Sequence, residues 1–166
     1  MNYLKKEKEQ SDIIPIGNAS QQKPALAGKY FVQIFSNDPI IEKLLSGSSK
    51  NKKMVRKLNS SGEFLILKLL SENALVILER KKSKNTKDRI ECLVFINNSF
   101  FLYYQLICDV QNVAGLLWPN QIAFISINPN TRKYKRLYTG LKAAGWKNLS
   151  YNSRGKITLE KVLNGE

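Results

Sequence analysis

The chain has no histidine, and only two of its 166 residues are cysteine. The first absence excludes Ser-His and Cys-His nucleophile pairs and every imidazole metal site. The second leaves Cys92 and Cys108 too few to build a zinc site by themselves. Acidic residues are also sparse, 13 against 27 Lys and Arg, which gives a formal charge of +14. No two of them have a spacing that compels a shared site for glycosidic or two-metal chemistry. The one glycine-bearing basic loop, "SGSSKNKK" from Ser46 to Lys53, lacks the second glycine and the Lys-Ser or Lys-Thr ending of a P-loop. No apolar run approaches the roughly 20 residues needed to cross a bilayer. The opening "MNYLKKEKEQSD" has no apolar stretch of the kind a secretory signal requires. Together these absences predict a non-catalytic protein without cofactor or metal, placed in the reducing environment of the cytoplasm.

What is present is the composition of a folded domain, 43% apolar and 10% aromatic. Residues 1–27 are polar and carry Pro15, Gly17 and Pro24 without a sustained period, so they read as a flexible arm. Residues 28–166 read as a single basic globular domain.

Within it, "KYFVQIF" is a short strand. "SNDPIIEKLLSG" predicts a short helix near 38–46, with Asn37 or Asp38 as cap, Pro39 in its first turn and Gly47 at its end. Lys52–Lys82 reads as three strands with turns at Ser60-Ser61-Gly62 and Ser71-Glu72-Asn73. Asp88–Val110 reads as a hairpin turning at Asn97-Asn98. Its second strand is apolar on both faces and is therefore expected at the centre of the sheet. Gln121–Ile127 is a further strand, and Asn148–Val162 is a final hairpin turning near Ser153-Arg154-Gly155. The sum, about eight or nine strands and two helices, is an α+β domain dominated by antiparallel sheet.

The second helix is expected near 131–144. Tyr134, Leu137, Tyr138, Leu141 and Ala144 form one apolar stripe, with Asn128 or Asn130 as N-cap and Gly145 as C-cap. Gly140 inside it costs about 1 kcal/mol relative to alanine, so packing must supply the difference. Arg132, Lys133, Lys135 and Arg136 crowd its N-terminus, where the helix dipole disfavours cations and the free amides attract anions.

These four residues and Lys142 are the central candidates for phosphate contact. Lys52, Lys53, Arg56 and Lys57 form a second cluster, and Arg80, Lys81, Lys82 and Lys84 a third. If the clusters converge, they make one anion-binding platform. The expectation is a non-catalytic module that binds RNA or DNA through the phosphate backbone, with weak base preference. No zinc-finger, RNP-type or GXXG motif accompanies them.

The helix and hairpin of residues 131–162 resemble the helix-plus-wing part of winged-helix proteins. "RKYKR" at Arg132–Arg136 is similar to the R-x-x-x-R of PilZ-type cyclic-dinucleotide receptors, but Ser153 stands where their second motif needs glycine. The layout of a lysine-bearing arm before a basic β-rich core resembles the matrix proteins of some negative-strand RNA viruses. That resemblance implies the alternative, an assembly protein bridging a nucleoprotein or acidic partner and an anionic membrane surface.

Overall fold

Runs rich in branched and aromatic residues form seven strands in the computed structural model, which describes residues 25–46 and 49–164. They are β1 (Phe31–Ile34), β2 (Glu63–Leu69), β3 (Ala74–Lys81), β4 (Arg89–Asn97), β5 (Ile122–Ile127), β6 (Lys147–Tyr151) and β7 (Ile157–Val162). Four helices are interspersed: α1 (Pro39–Leu45), α2 (Ser49–Leu58), α3 (Tyr103–Leu117) and α4 (Lys135–Ala143). The strands make one sheet in the order β1-β2-β3-β4-β5-β7-β6, antiparallel everywhere except between β4 and β5. The class is α+β, with the short helix, the C-terminal helix and the closing hairpin where the sequence pattern puts them.

Several local signals are realised. Asp38 caps α1, its Oδ1 accepting from the Ile40 amide at 3.0 Å, and Pro39 opens the helix. Gly145 ends α4 at φ +88°, a conformation in which its missing Cβ is an advantage. The α4 start differs. Asn128 Oδ1 accepts from the Asn130 amide and Thr131 turns back onto the Asn128 carbonyl, so regular helix begins only at Lys135.

Of the expected arm, residues 1–24 lie outside the described residues. Leu26 exchanges bonds with Gln33, and Ala27 bridges to Val32, which ties the end of that segment to β1.

Two helices replace expected strands. Ser49–Leu58 is helical because Met54, Val55 and Leu58 gather on one face while Lys52 and Lys53 are exposed. The segment expected as a central strand after Asn97-Asn98 is instead α3. Its buried residues Leu106, Ile107, Val110, Val113 and Ala114 follow the helical period, and Asn97-Asn98 leads into a strand-to-helix loop. β3 is covered on both faces. Ala74, Val76 and Leu78 enter one core, and Leu75 and Ile77 the other. The first core holds α3 and α4, and the second holds α1 and α2, so the sheet lies between two helical layers.

Because β4 and β5 are parallel, the chain must cross from the end of one to the start of the other, and α3 supplies that crossover. Asp109 on α3 anchors it to the first strand, accepting from the amides of Lys29, Tyr30 and Phe31.

Candidate active site

Neighbouring parallel strands normally stay bonded along their length, but β4 and β5 do not. They pair only at Arg89–Ile122, Ile90–Ala123 and Glu91–Phe124. A β-bulge marks the point of separation. Ile77 pairs with Val94 while Leu78 pairs with Cys92, so Leu93 is an extra residue in β4. A bulge bends its strand and ends regular pairing. Beyond it the strands diverge as a fork, and β4 from Cys92 to Asn97 has no strand on its β5 side. Alternate N–H and C=O groups there are left for a partner in extended conformation.

One cavity opens in this fork, and a larger groove lies at the end of β4. On the α3–α4 side lies a groove of about 840 Å³, walled by the loop from Asn97 to Leu102, the first turn of α3, and Lys135, Arg136 and Gly140 of α4. On the α1–α2 side lies a cavity of about 150 Å³ between Lys50 and Asn51 of α2, the diverging strands, and Lys133 and Tyr134. Lys135 and Arg136 line the groove and Lys133 and Tyr134 line the smaller cavity, so consecutive residues at the start of α4 contribute to the two.

Gly140 is the reason α4 comes so close to α3. A Cβ there would lie 2.9 Å from the Tyr103 Cβ and 3.1 Å from the Tyr104 backbone nitrogen. The helix-propensity cost noted from sequence is thus offset by a contact that no other residue permits.

The loop entering α3 has no glycine, and much of its backbone is already engaged. Asn97 Oδ1 accepts from the Ser99 amide at 2.9 Å, Ser99 Oγ from the Phe101 amide at 3.2 Å, and Gln105 Oε1 from the Leu102 amide at 3.1 Å. The amides left to meet an anion are those of the first α3 turn, Tyr103–Gln105, at the positive end of a 15-residue helix. Lys135 and Arg136 face the same groove.

Burial pushes the Tyr103 hydroxyl above its ordinary pKa, with the Arg136 guanidinium pulling it back and Tyr134 adding to the rise. Tyr103 thus lies within electrostatic reach of Arg136 and Tyr134. Cys92 lines the fork as well, but burial pushes its thiol up to about 12 and its Sγ donates to the Val94 carbonyl, so it is protonated and a poor nucleophile. No Asp or Glu lines either cavity. Among the described residues there is no cluster of metal-ligating side chains, and no helix is long and apolar enough to cross a membrane.

The sequence-predicted cations do not form one platform. Arg132, Lys133, Lys135, Arg136 and Lys142 belong to α4 and its approach, on one layer, while Lys52, Lys53, Arg56 and Lys57 lie on α2, on the opposite layer. Arg80, Lys81, Lys82 and Lys84 sit at the end of the sheet where β4 and β5 are still paired. Several are also neutralised: Lys57 by Glu79 at 2.7 Å, Arg80 by Asp88 at 2.8 Å and Glu63 at 3.4 Å, and Lys81 by Glu91 at 2.9 Å. Only Lys133, Lys135 and Arg136 of the named candidates reach a cavity. Tyr103 and Asn97 were not singled out from sequence as site residues, and Tyr134 stood in the apolar stripe beside the basic residues 132–136.

No family model and no curated protein matches the chain by sequence. Solved structures do match its fold. A Desulfovibrio desulfuricans protein assigned to the GNAT family of acetyltransferases superimposes with a TM-score of 0.56 at 10% identity, covering 80% of this chain and 98% of its own. FdhC, a nucleotide-linked sugar GNAT, gives 0.55 at 8% identity over 85% and 91%. An acetyltransferase from Agrobacterium tumefaciens strain C58 gives 0.51 at 8% over 84% and 95%.

The chain has the fold of the GNAT acetyltransferases. The finding corrects the expectation of a non-catalytic nucleic-acid-binding module, and with it the matrix-like alternative. The solved structures that superimpose on the chain are those of GNAT-type acetyltransferases, and the basic clusters on α2 and α4 lie on opposite layers of the sheet.

Proposed function

We propose that the protein is an acyltransferase that moves an acyl group from a coenzyme A thioester to a nucleophilic acceptor. The observation that carries the reading is the fork between β4 and β5, with its free strand edge, the cavity that opens in it and the groove at the end of β4. The donor supplies an activated acyl carbon; its carrier is an extended arm with amide groups and phosphates at the far end. An arm of that kind can pair along the β4 edge as an added strand would. Its phosphates would then meet the first-turn amides of α3 together with Lys135 and Arg136. The larger groove is thus the donor side, and the smaller cavity is the acceptor side.

Each chemical need has a candidate group. Fork-facing β4 amides can hold the thioester carbonyl and stabilise negative charge as it develops on that oxygen. Tyr134, which lines the smaller cavity, is the hydroxyl assigned to give its proton to the departing thiolate. Cys92 does not serve as a covalent relay, since its thiol stays protonated near neutral pH. With no carboxylate lining the cavities, the acceptor's proton leaves to water. The two free cysteines fit a reducing compartment.

The test is calorimetric titration of the full chain with acetyl coenzyme A, followed by detection of released thiol with an acceptor library. Saturable binding that is lost when Arg136 becomes Glu is the expected result. The absence of binding at millimolar donor would reject the reading.

A further inference from the structure

The acceptor-side cavity has an unusual charge for a place where an amine would react. Lys50 enters from α2 and Lys133 from the approach to α4, so two elements on opposite layers of the sheet bring cations to one opening. Its other polar walls are Asn51, Ser126 and Tyr134, all uncharged in their ordinary neutral-pH forms, and no Asp or Glu lines it. Neither lysine is held in an ion pair among the described residues, unlike Lys57, Arg80 and Lys81 elsewhere on the surface. Ser126 is occupied by its cross-strand hydrogen bond with Thr158 at 2.7 Å, so the two ammonium groups dominate the field.

Resting on the acyltransfer reading, we propose that the acceptor is a primary amine that also carries an anionic group, a carboxylate or a phosphate, bound by Lys50 and Lys133. Two consequences follow from the same charges. They attract the anionic end, a charge-assisted contact. They also disfavour a protonated amine nearby, lowering its pKa, so the acceptor is presented as the free base without a carboxylate to deprotonate it. The amine nitrogen then bonds to the acyl carbon as the carbon–sulfur bond breaks. The nitrogen's surplus proton passes to water, and the thiolate takes a proton from Tyr134, which solvent restores. The products are an amide and a free thiol.

The probes are ethanolamine and O-phosphoethanolamine, with β-alanine as the carboxylate case, titrated into the full chain and into K50E/K133E. The phosphorylated or carboxylated amine should bind at least tenfold more tightly than ethanolamine, and the double variant should abolish that preference. Thiol release from acetyl coenzyme A should show the same order in kcat/KM, with donor affinity changed less than twofold in the variant. Equal binding of the three amines, or a preference that survives K50E/K133E, overturns the inference while intact donor binding leaves the acyltransfer reading standing. Failure of acetyl coenzyme A to bind the unaltered chain overturns that reading, and the acceptor assignment falls with it.

Discussion

Asp109 and Phe31, 78 residues apart in the chain, are joined by a 2.8 Å hydrogen bond from the Phe31 amide to the Asp109 carboxylate. The Lys29 and Tyr30 amides point to the same carboxylate, so one buried acid on α3 holds the beginning of β1. Asp109→Asn should cost about 2–4 kcal/mol, because it removes a charge-assisted acceptor and turns a donor toward backbone amides. Urea denaturation should show a lower midpoint at an unchanged slope. A variant as stable as the parent would contradict this role.

Gly140 tests packing against propensity. By helix propensity alone, Gly140→Ala would stabilise α4 by about 1 kcal/mol. The added Cβ meets the Tyr103 Cβ and the Tyr104 backbone at about 3 Å, so the expected outcome is a net loss of roughly 1–3 kcal/mol. Donor affinity should fall as well, since the two helices that wall the groove must separate. A rise in melting temperature would show that the contact relaxes freely.

Tyr134→Phe removes the proposed proton donor and little else, as the ring remains in place. A kcat lowered roughly 10²–10⁴-fold, with donor affinity kept, is the range expected for losing a general acid. An unchanged kcat would move the proton transfer to another group.

Lys135 and Arg136 are expected to act through the donor's phosphates. Replacing both with alanine should weaken acetyl coenzyme A binding by roughly tenfold or more and flatten its salt dependence, as measured by calorimetry at two ionic strengths. Pairing Lys82→Ala with Lys84→Ala, at the far end of the sheet, should leave donor affinity where it was.

Cys92 offers a pH prediction with a definite sign. Its thiol is raised from 9.0 to about 12, so the fold favours the protonated form. The unfolded chain releases this proton above about pH 9 while the folded chain keeps it. The stabilising contribution is complete below pH 9 and declines as pH climbs toward 12. At pH 8 Cys92 should resist thiol reagents in the native protein and react once the chain is unfolded; rapid native labelling would exclude the buried thiol.

Legibility in the sequence followed the range of the physics involved. The Asp38-Pro39 start of α1, the turn around Glu72, the β6–β7 hairpin and the apolar stripe of α4 are decided by residues within a few positions of one another. They were readable for that reason. Residues 98–110 were not, because a run apolar on both sides has no period to separate strand from helix, and its assignment depends on what packs around it. Met54, Val55 and Leu58 raised the same ambiguity in α2, where three apolar residues amid lysines were too few to establish a face. Among site residues, the sequence drew attention to Lys133, Lys135 and Arg136 through their misfit with the helix dipole. It also drew attention to clusters at 52–57 and 80–84 that the fold sends elsewhere.

By itself the sequence determined that the chain is a basic α+β domain without histidine chemistry, since composition and short-range pattern suffice for that. Only the tertiary structure decided that β4 bulges at Leu93, parts from β5 and leaves its backbone open between two helical layers. A strand edge is made of N–H and C=O groups that every residue carries alike, so its availability depends on where the neighbouring strand goes and leaves no mark in the side chains.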